Sequence, residues 1–415
     1  MKLLSLFLVL GTLALAGCKT ESAATHPVFN VRDFGATGDG TNKDTVAFQK
    51  ALDACAGSGG EVIVPLGNYL IGSVQMGAHT TLRFQAGSVI IGCGDMEDYP
   101  LIPVRWEGRE EPGHRGLIYV TNAEDVTIIG PGRIEGNPTV AAPQNPRGAV
   151  VLEFVSCHGV RWKDFSVTQG GNWATHPVYC SDMVIDHLTI TGRRDGIDVD
   201  SCKNVLIENC DINTSDDSIS LKSGRGAQAV ALGRPTEDVV ITNCTLVDHR
   251  FACVGIGSET SGGIRNVRIA HCRCTARSDA IYIKTRIGRG GAIENISGDD
   301  LDVLGGGFLR VNLISSGNSN TVNDPVAGLA GYPAGRNFSF TNIRLAKATL
   351  LADVSKIAPE RPLGGLTLSH ITGTCAKGIS LANITGANLS DIQVTGYGGA
   401  LLVQTNVQGA GLELQ

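Results

Sequence analysis

The sequence predicts an all-β chain wound as a single parallel β-solenoid, with a short helix capping its first turn. Three observations predict it. Phrases with an apolar residue at every second position (MVIDHLTITG, VLIENC, VVITNCTLV, VRIAHCRCTA, FSFTNIRLA, LTLSHITGT, LSDIQVTGY) return about every 21 to 34 residues, the period of a solenoid whose units each supply short strands. Glycine is abundant at 54 of 415 residues, nearly twice the ~7% of average proteins, and aromatic residues make up only 5%, which suits turn-rich β structure built on small side chains. One stretch near residues 44–56 carries a convincing helical period.

From the start, residues 1–17 hold one Lys and then an almost unbroken apolar run, a secretory signal too short to span a membrane comfortably. The ending Leu15-Ala16-Gly17-Cys18 resembles a bacterial lipobox, which makes Cys18 the expected lipidation site. Residues 18–27 then form the lipidated cysteine and a short polar tether. Lys19 rather than Asp after that cysteine points to the outer membrane. The expected location is therefore an outer-membrane lipoprotein, periplasmic or surface-facing, or a secreted protein if Cys18 carries no lipid. Residues 28–415 are expected to form one domain, since the repeats reach nearly to Gln415.

A net charge of −6 gives no broad basic surface and argues against nucleic acid as a partner. No second apolar span follows the first, so membrane contact is expected through the lipid only. Twelve cysteines in an exported chain invite a disulfide reading. Yet Cys210, Cys244 and Cys272 each end one apolar phrase, so they read as an inward ladder of small hydrophobes. Asn209, Asn243 and His271 before them, like His187 and His370, read as a stacked polar turn and not as catalysts.

The helix opens at Asp44, a plausible N-cap, and Val46, Ala47, Phe48, Ala51, Leu52 and Cys55 make its apolar face. Gly57-Ser58-Gly59-Gly60 stops it. A solenoid needs a lid over its open first rung, and this helix is the candidate. The long segment Cys93 to Arg115, carrying Arg105, Trp106, Arg109 and His114, interrupts the strands. Such insertions usually lie on one face and often wall a binding cleft.

The richest stretch is Thr191 to Gly224, TGRRDGIDVDSCKNVLIENCDINTSDDSISLKSG. Two passes of one unit place Asp195 and Asp217 at the same offset, so they stack on adjacent rungs about 4.8 Å apart with Asp216 beside them. Like charges so close cannot all ionise normally, and at least one carboxyl is held protonated beside carboxylates held ionised. That is the equipment for general acid and general base work on a glycosidic bond. A solvated acidic turn is the plain alternative for a lone Asp-Asp pair, and the third stacked aspartate weighs against it. Trp173 and His176, one rung earlier, are candidate sugar contacts.

At DGIDVDSCKNVLIENC, DDSISLKSG, VGIGSETSGGIRNVRI and AIYIKTRIGRGG the chain resembles glycoside hydrolase family 28, the polygalacturonases and rhamnogalacturonases, over about residues 28 to 415. The resemblance implies a right-handed parallel β-helix, inverting hydrolysis of α-linked galacturonan or rhamnogalacturonan, and no metal or cofactor. It places the family's aspartates on Asp195, Asp216 and Asp217 and its lysine on Lys284. It also marks departures, since Ala252 stands at the family histidine and Tyr282 at the family arginine. His249 is the expected stand-in for the first. Arg286, sharing an outward face with Tyr282 and Lys284, is the stand-in for the second, with Arg289 helping.

The expected mechanism gives Asp216 the role of acid, with Asp195 and Asp217 activating water across roughly 6.5–9.5 Å, toward the short end of that range. Lys284, Arg286, Tyr282, Arg194, Lys222 and Arg289 are the expected substrate contacts, and Asn213 and Glu259 support turns. A rhamnogalacturonan hydrolase, a calcium-dependent pectate lyase and a non-catalytic pectin-binding protein are the alternatives. The partner is a pectic polysaccharide or oligosaccharide, and the expected state is a monomer.

Overall fold

The structure, a computed structural model, describes residues 26–141, 146–168, 172–317 and 324–414. The apolar leader and Cys18 lie outside the described residues. No helix among those described is long and apolar enough to cross a membrane.

The chain winds as a parallel β-helix, with 31 strands among the described residues joined in one continuous hydrogen-bonded network. Every pairing within that network is parallel, and the strands fall into stacked columns. One column, which carries the site, runs through Leu152–Val155, Thr175–Val178, Ile197–Asp200, Ile219–Lys222 and Ala252–Gly257. It continues through the later part of Arg273–Lys284, where Val254 pairs with Ile281 and Gly255 with Tyr282. Because side chains alternate across a strand, equal offsets stack into ladders. Leu152, Ile197, Ile219, Val254, Ile281 and Leu309 form one such inward ladder, all fully buried. Burying each contributes about 1.5–3 kcal/mol, more than the ~1 kcal/mol net of a hydrogen bond between polar turns. Apolar stacking therefore sets the register, and the turns follow it.

The turns explain the recurring Asn and His. His187, Asn209, Asn243, His271, Asn342 and His370 all sit at φ between 52° and 56°, where the chain corners in a single left-handed residue. Asn and His tolerate that conformation better than β-branched residues. Stacked partners then tie the turns together, as Asn209 Nδ2 does by donating to Asp186 Oδ1 at 2.8 Å.

Cys210, Cys244 and Cys272 are buried free thiols, as the ladder reading expects. A second ladder escaped that reading: Cys157, Cys180 and Cys202 are also buried and free, and the Cys180 amide donates to Cys202 Sγ at 3.2 Å.

The first helix spans Thr45–Ala56 and buries Ala47, Phe48, Ala51, Leu52 and Cys55 over the first rungs. Val46 does not join that face; it is 66% exposed. Asp44 occupies the N-cap position without capping the helix. Its carboxylate instead accepts from the Thr37 and Gly38 amides at 2.7 and 3.0 Å, pinning the preceding loop.

The insertion forms a two-stranded antiparallel hairpin, Leu101–Trp106 and Arg109–His114. Glu107 and Gly108 turn it with φ of 42° and 80°, the two-residue loop whose twist matches hairpin strands. Gly108 is required twice over, because a Cβ there would lie 2.8 Å from the Arg225 nitrogen.

Candidate active site

Asp195 and Asp216-Asp217 end the corners that open Ile197–Asp200 and Ile219–Lys222, so the register that pairs Ile197 with Ile219 also stacks the aspartates. Carboxylate oxygens of all three lie within 4.8 Å of one another. This is shorter than the 6.5–9.5 Å expected from the sequence, because the rung spacing and not a cleft width fixes it. The three line a cleft of about 450 Å³ with Trp106, Glu107 and Trp173 on one side and Tyr282, Lys284 and Ser316 on the other.

Two buried ammonium groups organise the acids. Lys284 Nζ donates to Asp217 Oδ2 at 2.5 Å. Lys222 Nζ donates to Asp195 Oδ2 at 3.0 Å, and more closely to Asp198. Burial alone raises a carboxyl pKa, and neighbouring charges then separate the three. Burial pushes Asp216 up to about 8, helped by Asp195 and Asp217 and only partly offset by Lys284. For Asp195 burial is outweighed by Lys222, which holds it below the usual carboxylate range. Burial raises Asp217 in spite of Lys284. The site thus holds a carboxylic acid next to an ionised carboxylate at neutral pH. Asp217 Oδ1 is buried with no hydrogen-bond partner among the described residues.

Gly255 makes room for this arrangement. It faces outward one rung beyond Ser220, and a Cβ there would fall inside the envelope of Asp217 Oδ2. Gly255→Ala is expected to displace Asp217 and lower kcat by about 10²-fold, the cost of a misplaced reacting group. Steady-state kinetics beside a melting curve checks it, and an active Gly255→Ala enzyme would show that Asp217 need not sit there.

The other expected site residues divide. Trp173 lines the cleft, its ring 4.2 Å from that of Trp106 and 3.6 Å from Lys222 Nζ. Tyr282 lines it too, its hydroxyl 2.8 Å from Ser316 Oγ. Arg194 lies on the cleft with 44% of its side chain exposed and Nη1 4.0 Å from Asp216 Oδ2. Lys284 is at the centre.

Five expectations change. His249 is not among the cleft-lining residues; its Nε2 pairs with Asn213 Oδ1 at 2.8 Å, because its backbone continues the strand register past Thr214 and carries the ring to an outer corner. It is no stand-in for the family histidine. His176 is fully buried beneath Trp173, and burial lowers its pKa to about 4, so it is a neutral packing group. Lys222 lines the cleft, but its charge is committed to Asp195 and Asp198, so it positions acids instead of contacting substrate. Arg286 lies beside the cleft, with Nε donating to the Ser316 carbonyl at 3.0 Å and Nη2 to that of Gly317 at 2.8 Å. Arg289 is buried and donates to the Ser258 carbonyl, holding the loop that carries Glu259. Both arginines shape the wall.

Sequence reasoning also missed groups. Glu259 lines the cleft instead of supporting a turn, and Glu107 faces into it from the hairpin tip. Asp198, three residues after Asp195, was legible as an outward position of its strand. Phe251, not Ala252, presents a side chain to the cleft at the departed motif; Ala252 is fully buried.

Comparison with known proteins places these features in context. The profile described as "Glycosyl hydrolases family 28" matches residues 62–303. A "Probable polygalacturonase" of Vitis vinifera is 30% identical over 378 residues, covering 86% of this chain and 74% of that protein. An "Exo-poly-alpha-D-galacturonosidase" of Dickeya chrysanthemi is 24% identical over 67% of this chain, which spans only 55% of that protein's length. Among solved structures, a hyperthermoactive exopolygalacturonase from Thermotoga maritima superposes with a TM-score of 0.73 at 24% identity, over 93% of this chain and 92% of its own. A family 28 exopolygalacturonase of Yersinia enterocolitica gives a TM-score of 0.76 at 18% identity, over 93% and 78% of the two chains.

Proposed function

Since the chain belongs to glycosyl hydrolases family 28, we propose that it hydrolyses an α-linked, galacturonate-containing pectic glycan with inversion at the anomeric carbon. The observation that carries the hydrolase reading is the charge pattern of the triad, a protonated Asp216 beside an ionised Asp195; inversion rests on the family resemblance. Asp216 protonates the leaving glycosidic oxygen. Asp195 and Asp217 orient one water and take its proton. Each base is tied to an ammonium group through one oxygen, which holds the pair in place. Proton NMR of the first product reads its configuration, and initial retention of configuration would overturn inversion.

Arg194 supplies positive charge on the cleft for the substrate carboxylate. Arg194→Thr is expected to raise KM for acidic substrate about tenfold with kcat little changed, which removal of a uniform binding contact produces. A loss confined to kcat would instead assign Arg194 to tuning Asp216.

The calcium-dependent lyase reading is weaker on the residues themselves. Lys222 and Lys284 already bring two positive charges to the acids, the part a divalent ion would play. The assay is release of new reducing ends from polygalacturonate and from rhamnogalacturonan, each with chelator present, using a form that starts near Glu21 and an Asp216→Asn control. Activity on either polymer, lost in the control, supports hydrolysis and selects the glycan. Ultraviolet-absorbing unsaturated products that vanish with chelator would support the lyase, and binding without turnover a pectin-binding protein. Export with a lipid at Cys18 is part of the same proposal, tested by mass spectrometry of the mature amino terminus.

A further inference from the structure

Resting on the hydrolase reading, we infer that the enzyme acts on chain ends, because the hairpin Leu101–His114 closes one end of the cleft while the other end stays open among the described residues. The outer face of the catalytic column shows both ends. Glu153 pairs in register with His176, and Asp200 with Lys222, so all four point away from the solenoid interior. Outward residues of a half-solvated sheet should be wet. Instead Glu153 is 2% exposed, His176 0% and Asp200 1%.

The hairpin and its supports cover them. Arg105 reaches across from the hairpin to donate to Asp200 Oδ2 at 2.8 Å and to the Tyr179 hydroxyl at 2.6 Å. Arg147 lies 3.8 Å from the Trp106 ring centroid and 4.7 Å from that of Trp173, binding the hairpin to the rung before Asp195. At the tip, the Gly108 carbonyl accepts from the Arg225 amide and Glu107 Oε2 meets Arg225 Nη1, both at 3.4 Å. The wall is fastened at both ends of its strands and is not a hanging loop.

On the other side the same outward column stays accessible among the described residues. Tyr282 is followed in register by Arg310, then Asp353, then Ser380, then Val403, which is 60% exposed. A groove of about 510 Å³ lies along these rungs against Arg310, Asp353 and Lys377. A polymer laid along the column can therefore extend over the later rungs, but it cannot pass the triad toward earlier ones. Only a terminal segment of the polymer fits between the aspartates and the Trp106, Glu107 and Trp173 wall. The remainder runs past Tyr282, where Lys377 is available to its carboxylates.

The test follows viscosity, reducing ends and first products together on whichever of polygalacturonate or rhamnogalacturonan is cleaved. Short products from the first time point, with viscosity falling slowly against bonds broken, are expected. A mixture of long oligomers with early collapse of viscosity overturns the inference and leaves the hydrolase reading standing. No new reducing ends from either polymer overturns that reading and this inference with it. Two variants locate the ends. Trp106→Ala, checked for an unchanged fold by its melting curve, is expected to lengthen the first products, and an unchanged product pattern in the folded variant counts against the wall. Lys377→Gln is expected to raise KM ~2–5-fold on long chains and not on dimers. An equal effect on both would place the remainder of the polymer elsewhere.

Discussion

Asp216→Asn is expected to lower kcat by about 10²–10⁴-fold, the range that a general acid contributes, and at the same time to raise the melting temperature near pH 7. The two effects share one cause. Burial and two neighbouring aspartates hold the Asp216 carboxyl at about 8, well above its ordinary value of 3.8. Between those values the folded state binds a proton that the unfolded state has released. Stability therefore falls as pH rises through that window, and an amide, which has no proton to lose, escapes the penalty. The same proton is needed for catalysis, so kcat/KM of the parent enzyme should decline as pH rises through about 8. Thermal melts of both forms from pH 4 to 9, beside a pH–rate profile, check this. An Asp216→Asn enzyme that melts lower than the parent at pH 8, or a rate that keeps rising beyond it, would overturn the assignment. Active sites commonly exchange stability for reactivity in this way.

Lys222→Met is expected to cost about 3–5 kcal/mol at neutral pH, the usual result of breaking a buried ion pair from one side. The ammonium is buried against Asp195 and Asp198, and its removal leaves the Asp195 carboxylate without its counter-charge beside Asp198, which burial and Asp195 already hold well above the usual carboxylate range. The pH dependence gives the sign. In the parent, Asp195 is held below its ordinary value, and the stability that it contributes is present above about pH 4 and lost as pH falls. In the variant burial is no longer outweighed at Asp195, which is raised instead, so the deficit grows as pH rises from about 4. The two stability curves should converge in acid and part toward neutrality. Denaturant titrations at pH 4 and 7 measure it. A variant as stable as the parent at pH 7, with only KM raised, would return Lys222 to the role of substrate contact that its sequence position first suggested.

The contrast between Lys222 and Asp217 shows what was legible. Equal offsets in neighbouring repeats are a local property, so stacking of Asp195 on Asp217 could be counted directly, as could the inward ladders that set the fold. Lys222 reads in the sequence as a substrate contact, and it does line the cleft. Its partners Asp195 and Asp198 lie on the neighbouring rung; what hides this face from solvent comes from a hairpin about a hundred residues earlier, which no repeat offset reveals. His176 was misjudged for the same reason: an outward position on a strand predicts solvent only when nothing lies above it. Glu107 reaches the cleft at the tip of that hairpin, and no repeat offset points to it. His249 failed differently. One more residue along a strand end sends a side chain around the corner, and a count of three from the motif does not register that turn. Attention to Ala252, at the place of the family histidine, likewise concealed Phe251, since a shift of one residue exchanges inside for outside.

The thiol ladders carry a consequence for the lifetime of the molecule. Eleven cysteines of the described residues are free and buried. Burial and hydrogen bonding between stacked sulfurs raise the thiols of Cys157, Cys180, Cys272 and Cys274 far from ionisation, so the folded protein offers almost no thiolate to an oxidant. An unfolded chain offers them all. In an oxidising compartment the first global opening would scramble these sulfurs into bridges that the rungs cannot accommodate, and refolding would be lost. Durability outside the cell would then be governed by how rarely the solenoid opens, a rate set by its activation barrier and not by an equilibrium between folded and unfolded forms.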